Sequence, residues 1–174
     1  MAIRQIRIEG DPLLRKKSRE VSEINERILE LLDDMKDTLY EAEGLGLAAP
    51  QVGVLRRVVV VDMRDEEGLL MMINPKIIEE SDETQINIEG CLSVPDESGY
   101  VQRPKELTVE YLDEKGEKRT MKCDGYKAVC ISHELDHLEG ILYIDKKIEV
   151  DEEMLEKEGM LEEEILEEEN GENE

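Results

Sequence analysis

The sequence predicts an α+β fold in which one helix, carrying the chemistry, packs among antiparallel β-sheets. Three observations support this class. Residues 133–137 read HELDH and fit a helix. Short apolar or alternating runs, separated by turn residues, fill most of the region from 57 to 123 and indicate strands. An amphipathic repeat near the N-terminus predicts a second helix, which we expect on the outside.

Composition limits the classes of function before any motif is considered. The 174 residues suit one domain with a core of Leu, Ile, Val and Met, because the chain has no Phe or Trp. A net charge of −24 argues against a nucleic-acid surface. The N-terminus has no long apolar run, so we expect no signal peptide and no membrane span. The three cysteines then indicate a reduced cytoplasmic protein with free or ligating thiols.

The first third of the chain predicts three elements. Residues 3–8 alternate and predict a short strand. Apolar residues at helical spacing predict an amphipathic helix over 23–43, capped by Ser22 and ended by Gly44. The apolar run within residues 57–63 predicts a buried strand.

The middle of the chain predicts further strands and the helix that carries the motif. Strands are expected at 69–73, 76–78 and 83–88, the first two separated by Asn74 and Pro75. Residues 107–112 and 118–123 predict a hairpin around a turn that contains glycine. Asp124 then caps the motif helix and Gly140 ends it, before a last short strand within 142–148.

The composition changes at residue 149. Residues 149–174 hold fourteen Asp or Glu and one Lys. We therefore divide the chain into a catalytic metallohydrolase domain, 1–148, and an acidic C-terminal helix or tail, 149–174. A periodic set of apolar residues predicts that this segment forms one helix, or two split near Gly159, lying on the domain. An acidic docking tail is the alternative.

The motif helix predicts a metal site with one ligand left open. His133 and His137 lie one turn apart on the same helix face, with Glu134 beside them, an arrangement that holds a metal ion and accepts a proton from water. The third ligand is either a downstream Glu or a cysteine thiolate. Cys91 follows a glycine in a segment with little reason to contain a core cysteine, whereas the other two cysteines read as buried small hydrophobes.

Two other segments carry distinctive residues. Residues 44–51 read GLGLAAPQ; their small side chains allow a close backbone approach, and Gln51 can donate to an oxygen. Alone, this segment reads as a structural turn. Residues 89–93 read EGCLS and contain Cys91.

Together these segments resemble the three signature motifs of the peptide deformylases. GLGLAAPQ, EGCLS and HELDHLEG (133–140) occur complete and in the family's order, and DPLLR at 11–15 resembles its N-terminal segment. The resemblance covers roughly residues 3–148. It implies iron(II)-dependent hydrolysis of the N-formyl group from the N-terminal formylmethionine of newly made polypeptides, releasing formate. It also implies that Zn²⁺, Ni²⁺ or Co²⁺ is able to replace Fe²⁺.

The resemblance also assigns roles to residues. It implies a metal held by Cys91, His133 and His137, with water in the fourth position as nucleophile, and Glu134 as general acid/base. Gln51 and the backbone N–H of Leu92 would stabilise the oxyanion. Gly44 and Gly46 would lie against the substrate. For the methionine side chain we expect an apolar pocket whose walls are Ile86 or Ile88, together with Tyr126, Val129 and Cys130.

Two departures from the family pattern affect partners. Some members carry an arginine that holds substrate backbone where this chain has Ser98, and we expect Arg103 instead to pair with Glu89 and orient the Cys91 segment. Some members end in a basic helix that docks on the ribosome. The acidic segment here predicts that any ribosome contact is transient and uses another surface, without direct nucleic-acid binding.

Two other function classes remain open at this point. A zinc-dependent endopeptidase would share the HExxH helix, use a Glu ligand and tolerate Cys91→Ser. A non-enzymatic acidic binding protein would depend on residues 149–174 and not on Glu134.

Overall fold

The computed structural model describes residues 2–158, so the part of the expected acidic helix or tail at 159–174 lies outside the described residues. The described chain forms two antiparallel β-sheets and few helices, which confirms the α+β class. The helices are α1 (Glu26–Glu41), α2 (Gly125–Leu138) and α3 (Glu152–Lys157). The strands are β1 (Gly46–Ala48), β2 (Val58–Asp62), β3 (Leu69–Glu80), β4 (Thr84–Cys91), β5 (Val94–Pro104), β6 (Glu106–Leu112), β7 (Lys118–Asp124) and β8 (Lys147–Ile148).

The two sheets differ in size and in their place along the chain. The larger has five strands in the order β1-β2-β3-β6-β7, and the smaller has three in the order β4-β5-β8. Every neighbouring pair is antiparallel. The predicted hairpin forms as β6 and β7. The sequence analysis assigned no strand to residues 94–104, which form β5, the partner of β4.

The large sheet is covered on both faces, because β2 is buried along its whole length. Val58 and Val60 belong to the apolar cluster that α1 completes with Leu32 and Met35. Val59 belongs to a second cluster that α2 completes. Since alternate residues of a strand face opposite sides, β2 separates the two helices.

Helix α2 lies against both sheets. Its apolar side chains, among them Ile131 and Leu138, pack in the cluster of the large sheet. It also contacts β4 and β5 of the small sheet. The chemistry-bearing side chains of α2 face the space between the two sheets, where strand ends meet the helix.

Three expected elements differ in their details. Helix α1 begins at Glu26, because the Asn25 side chain accepts from the backbone N–H of Ile28 and caps it there, not Ser22. Strand β3 runs unbroken through Asn74 and Pro75, where its register against β6 shifts. Asn74 adopts a φ of 52° at this bulge, and its side chain exchanges two hydrogen bonds with the backbone of Val21.

Both ends of the described chain contain less strand than predicted. Residues 3–8 form no strand. Their amides bond to different elements, with Arg7 N–H donating to the Gln51 carbonyl and Arg4 N–H to the Thr38 hydroxyl, so no ladder can form. Near the other end, residues Tyr143–Asp145 form a 3₁₀ turn, which leaves only Lys147–Ile148 as β8. No helix in the described part of the chain is both long and apolar enough to cross a membrane.

Candidate metal centre and active site

Three potential ligands converge where the end of β4 meets α2. The Cys91 sulfur and one ring nitrogen each of His133 and His137 all lie within 4.8 Å of one another. Cys91 Sγ and His137 Nε2 are 3.4 Å apart. Both histidines are buried. One sulfur and two imidazole nitrogens in this space form a donor set that could hold a divalent metal ion and leave a position open.

His133 is oriented by a buried polar network. Its Nδ1 lies 2.8 Å from Glu89 Oε1, which turns Nε2 toward the Cys91 sulfur. Arg103 donates two hydrogen bonds of 2.9 Å to Glu89 and one of 2.6 Å to Asp136. Burial acts to raise the pKa of Glu89, but the hydrogen bonds from His133 and Arg103 outweigh it and lower that pKa. The predicted pairing of Arg103 with Glu89 is confirmed, whereas Asp136 was not predicted.

His137 is held as a neutral base. Burial, and then the positive charges of His133 and Arg103, lower its pKa well below the usual value. Its Nδ1 has no hydrogen-bond partner within residues 2–158. A neutral imidazole is the form that binds a metal ion.

Glu134 lies against β1 with one oxygen free. Its Oε1 is 4.0 Å from His133 Nε2, and its buried Oε2 has no hydrogen-bond partner in the described chain. Burial raises the pKa of Glu134 to about 7 when no metal ion is bound. Gly46 makes room for this carboxylate, since a Cβ there would lie 2.9 Å from Glu134 Cγ. The site therefore needs a glycine beside its buried carboxylate.

Gln51 is fixed by hydrogen bonds on both sides of its amide. It follows β1 in a 3₁₀ turn and is fully buried. Its Oε1 accepts from the Ala48 N–H at 2.9 Å, so its Nε2 must point the other way. Nε2 donates to Ser93 Oγ at 3.0 Å and lies 3.6 Å from Cys91 Sγ. Ser93 was missed by the sequence analysis, although it ends the EGCLS segment.

A cavity of about 310 Å³ opens beside these groups. Ten of the site residues that the sequence predicted line this cavity: Gly44, Gly46, Gln51, Cys91, Leu92, Tyr126, Val129, Cys130, His133 and Glu134. Four residues to which the sequence analysis gave no metal-binding, catalytic or substrate-binding role complete the lining: Glu43, Leu45, Glu89 and Gly90. Most of the predicted site is thus brought together around one cavity.

Neither of the isoleucines predicted as a pocket wall, Ile86 or Ile88, lines this cavity. Ile86 is buried elsewhere, and Ile88 is exposed. Alternate residues of a strand face opposite sides. Glu89 faces α2 and the cavity, so Ile86, three residues earlier on the same strand, faces away from the cavity. The other cysteines also divide: Cys130 lines the cavity, while Cys123 packs in the cluster of the large sheet.

Comparison with known proteins agrees with this geometry. A profile of the polypeptide deformylase family matches residues 3–153. The chain belongs to this family. It is 57% identical over 157 residues to a peptide deformylase of Finegoldia magna, a match that spans 90% of this chain and 97% of the relative.

Solved structures of the family share the fold. The peptide deformylase of Thermotoga maritima aligns with a TM-score of 0.82 at 38% identity, covering 86% of this chain and 100% of that chain. A class I type b peptide deformylase of Acinetobacter baumannii, with Met-Ala-Ser bound, aligns with a TM-score of 0.81 at 35% identity, covering 84% and 100%.

Membership of the deformylase family establishes the type of reaction. The chain is a hydrolase that removes the N-formyl group from nascent peptides, and its family is metal-dependent. The zinc endopeptidase alternative finds no support in these relatives.

Proposed function

We propose that this chain deformylates peptides with one Fe²⁺ ion held by Cys91, His133 and His137. The observation that carries this proposal is the convergence of three ligand atoms within 4.8 Å, beside a buried carboxylate with a free oxygen. Iron is favoured by the resemblance to the family. The same donors suit Zn²⁺, Ni²⁺ or Co²⁺, and on intrinsic affinity Zn²⁺ binds such a set more tightly than Fe²⁺.

Glu134 acts as general base and then as general acid. When bound, the metal ion supplies a Lewis acid that lowers the pKa of water and polarises the formyl oxygen. The Glu134 carboxylate takes a proton from the attacking water and later delivers it to the amine of the departing peptide. Burial raises the pKa of Glu134 above that of an ordinary carboxyl, which favours a group that both accepts and returns a proton.

Gln51 and the backbone N–H of Leu92 stabilise the negative charge that develops on the formyl oxygen. Gln51 Nε2 is held in place before substrate arrives, because Oε1 is fixed to Ala48. Gln51 also lines the cavity, so the Nε2 proton on the side of Cys91 Sγ, 3.6 Å away, is the one available to the substrate. Each such donor is worth about 3–4 kcal/mol in comparable sites.

The cavity of about 310 Å³ receives the methionine side chain of the substrate. Tyr126, Val129 and Cys130 form its walls, and Gly44 and Gly46 leave space for the substrate backbone. Burial raises the pKa of the Cys130 thiol to about 12, so this wall stays uncharged. The Acinetobacter baumannii relative was solved with Met-Ala-Ser bound, which supports a peptide that begins with methionine as the ligand.

The charge of the C-terminal segment bears on the contacts of the enzyme. We place it in the cytoplasm, with residues 1–148 as the catalytic domain and 149–174 as an acidic appendage. The fourteen acidic residues of residues 149–174 carry the same sign of charge as ribosomal RNA and are repelled by it. Ribosome contact is therefore transient and uses another surface.

Formate release from formyl-Met-Ala-Ser tests the proposal. The protein is prepared without oxygen, and Fe²⁺ or Zn²⁺ is restored separately. We expect fast release with Fe²⁺ and a loss of about 10²–10⁴-fold in kcat for Glu134→Ala. The exposed substitution Glu153→Ala is the matched control and should leave kcat unchanged.

Two results would contradict the proposal. Unchanged formate release by Glu134→Ala would remove Glu134 from the chemistry. Full metal content and activity in Cys91→Ser would remove Cys91 from the metal site.

A further inference from the structure

A second cavity lies between the N-terminal segment, the start of α1 and the loop before β2. Its volume is about 700 Å³, within the roughly 300–1,000 Å³ of ordinary small-molecule sites. Of residues 2–158, none lines both this cavity and the one beside Cys91. We name the second cavity the arginine groove; its charged lining residues are Arg4, Arg19, Arg27, Arg56 and Glu30, and most of the others are apolar.

The arginines that have no acidic partner are gathered in the arginine groove. Seven of the ten arginines in the sequence form an ion pair with Asp or Glu. The three that form none within residues 2–158 are Arg19, Arg27 and Arg56, and all three line the groove. Because the chain has 46 acidic and 22 basic residues, a shortage of carboxylates does not explain this. The fold therefore leaves positive charge available at one place on its surface.

The backbone holds two of these arginines side by side. Arg19 and Arg56 form an isolated parallel bridge, in which the Arg19 N–H donates to the Leu55 carbonyl at 3.2 Å. Bridged segments lie about 4.8 Å apart, and like charges opposite each other destabilise such a pair. In the described chain, the Arg56 guanidinium donates to the Leu55 carbonyl, which does not neutralise its charge. An anion bound by both guanidinium groups would remove the repulsion.

The start of α1 adds to the positive potential. The N-cap Asn25 and the first-turn residue Arg27 both line the groove. The N-terminal end of a helix carries about half a positive charge, and this end belongs to a helix of 16 residues. Glu30 is the one carboxylate among the described lining residues. It is outweighed by the three unpaired arginines and the helix end together.

We propose that the arginine groove binds the phosphate group of a small molecule, with Arg19, Arg27 and Arg56 as its contacts. The planar guanidinium group matches phosphate oxygens with two parallel hydrogen bonds. A phosphate also carries more than one negative charge near neutral pH, as three unpaired arginines require, whereas a carboxylate carries one. The apolar part of the lining gives the rest of an organic phosphate a surface to contact.

Amide NMR of the full-length, ¹⁵N-labelled, zinc-loaded protein tests the proposal by titration with pyrophosphate. We expect the amides of residues 53–57 and of the first turn of α1 to shift, while those of Cys91 and His133 stay in place. Parallel titration with ADP distinguishes the sources of the phosphate. Tighter binding of ADP would assign the groove to an organic phosphate, and equal dissociation constants would assign it to inorganic phosphate.

A pair of variants tests the role of the arginines. Arg19→Gln/Arg56→Gln removes two charges from the groove, and Lys105→Gln/Lys122→Gln removes two charges from β6, β7 and the turn before β6. We expect the groove variant to raise the dissociation constant of pyrophosphate by about 10–100-fold, because charge-assisted hydrogen bonds are lost. The control pair should leave it within about twofold. Formate release should be unchanged in both variants, so the result is independent of the proposed function.

Three results would overturn the proposal. The first is the absence of any shift at residues 53–57 with pyrophosphate and with ADP. The second is an equal rise in the dissociation constant for the groove variant and the control pair, which would mean that only the overall charge of the protein matters. The third is binding of adenosine as tight as that of ADP, which would assign the groove to apolar contacts and not to phosphate.

Discussion

Arg103 and Lys157 both pair with a glutamate, but they do so in two very different regions of the molecule. Arg103 and Glu89 lie between the sheets, with side chains only 3% and 2% exposed. Lys157 and Glu153 lie on α3, with side chains 73% and 78% exposed and 3.5 Å apart. Water screens the second pair and not the first. Identical charges therefore organise the structure in one region and contribute almost nothing in the other.

The buried region also connects its ion pair to the chemistry. Glu89 stands between Arg103 and His133 and holds both through hydrogen bonds. A network of this kind is stable only while every member is present, because each charge was removed from water to form it. Four substitutions, in order of decreasing expected effect, test how far the two regions differ.

Removing the arginine of the buried pair should have the largest effect on stability. Arg103→Met leaves Glu89 buried without its bidentate partner, and we expect the free energy of unfolding to fall by about 3–5 kcal/mol. Urea unfolding at equal metal loading measures this. The double variant Glu89→Gln/Arg103→Met should lose less than the sum of the single losses. Strict additivity would show that the pair is not coupled, and Lys105→Met, in the exposed turn before β6, is the control.

Gln51 lies in the same buried region but is a neutral hydrogen-bond donor, not a charged group. Gln51→Ala should lower kcat for formate release by about 10²–10³-fold with a smaller change in KM, since its donation matters most as charge develops on the formyl oxygen. Ser93→Ala removes only the group that helps to hold Nε2 and should cost less. Equal losses in the two variants would mean that Gln51 acts only through packing.

Asp62, at the end of β2, should have an effect on stability between those of the buried and the exposed ion pairs. The Tyr40 hydroxyl donates to it at 2.6 Å, and this bond, helped by Arg64, holds the pKa of Asp62 below its usual value although burial opposes the shift. A lowered folded-state pKa adds stability above the unfolded pKa of about 3.9, and that stability is lost as pH falls through the folded pKa.

Asp62→Asn should therefore lower the free energy of unfolding by about 1.5–3 kcal/mol at pH 7. The difference from the unaltered protein should shrink as the pH falls below about 4. Urea unfolding over this pH range measures it, with the exposed Asp33→Asn as control. A difference that stays constant with pH would show that the charge of Asp62 is not what stabilises it.

The exposed pair should respond least. Lys157→Ala removes the partner of Glu153 on α3, and we expect a change below about 0.5 kcal/mol in the free energy of unfolding. The same urea titration measures it. A loss of several kcal/mol would mean that α3 is held by charge, and the contrast between the two regions would fail.

Local patterns predicted much of the fold. Three patterns depend only on neighbours a few residues away, so the sequence predicts them: the helical spacing in α1, the unbroken apolar run in β2 and the turn between β6 and β7. Strand β5 was missed because its residues are mostly polar and its strand character depends on pairing with β4. The register shift in β3 was taken for an end of the strand for the same reason: the Asn74 side chain finds its partners at Val21.

The candidate site divides along the same line. The sequence by itself determined the spacing of His133, Glu134 and His137 and, through three motifs, the family and its reaction, because the chemistry requires those residue types at short fixed separations. Only the tertiary structure decided that the three ligand atoms lie within 4.8 Å of one another, that Asp136 also accepts from Arg103, and that Ile86 faces away from the cavity. These facts depend on which strand end meets which helix, and that is decided by packing between residues far apart in the chain.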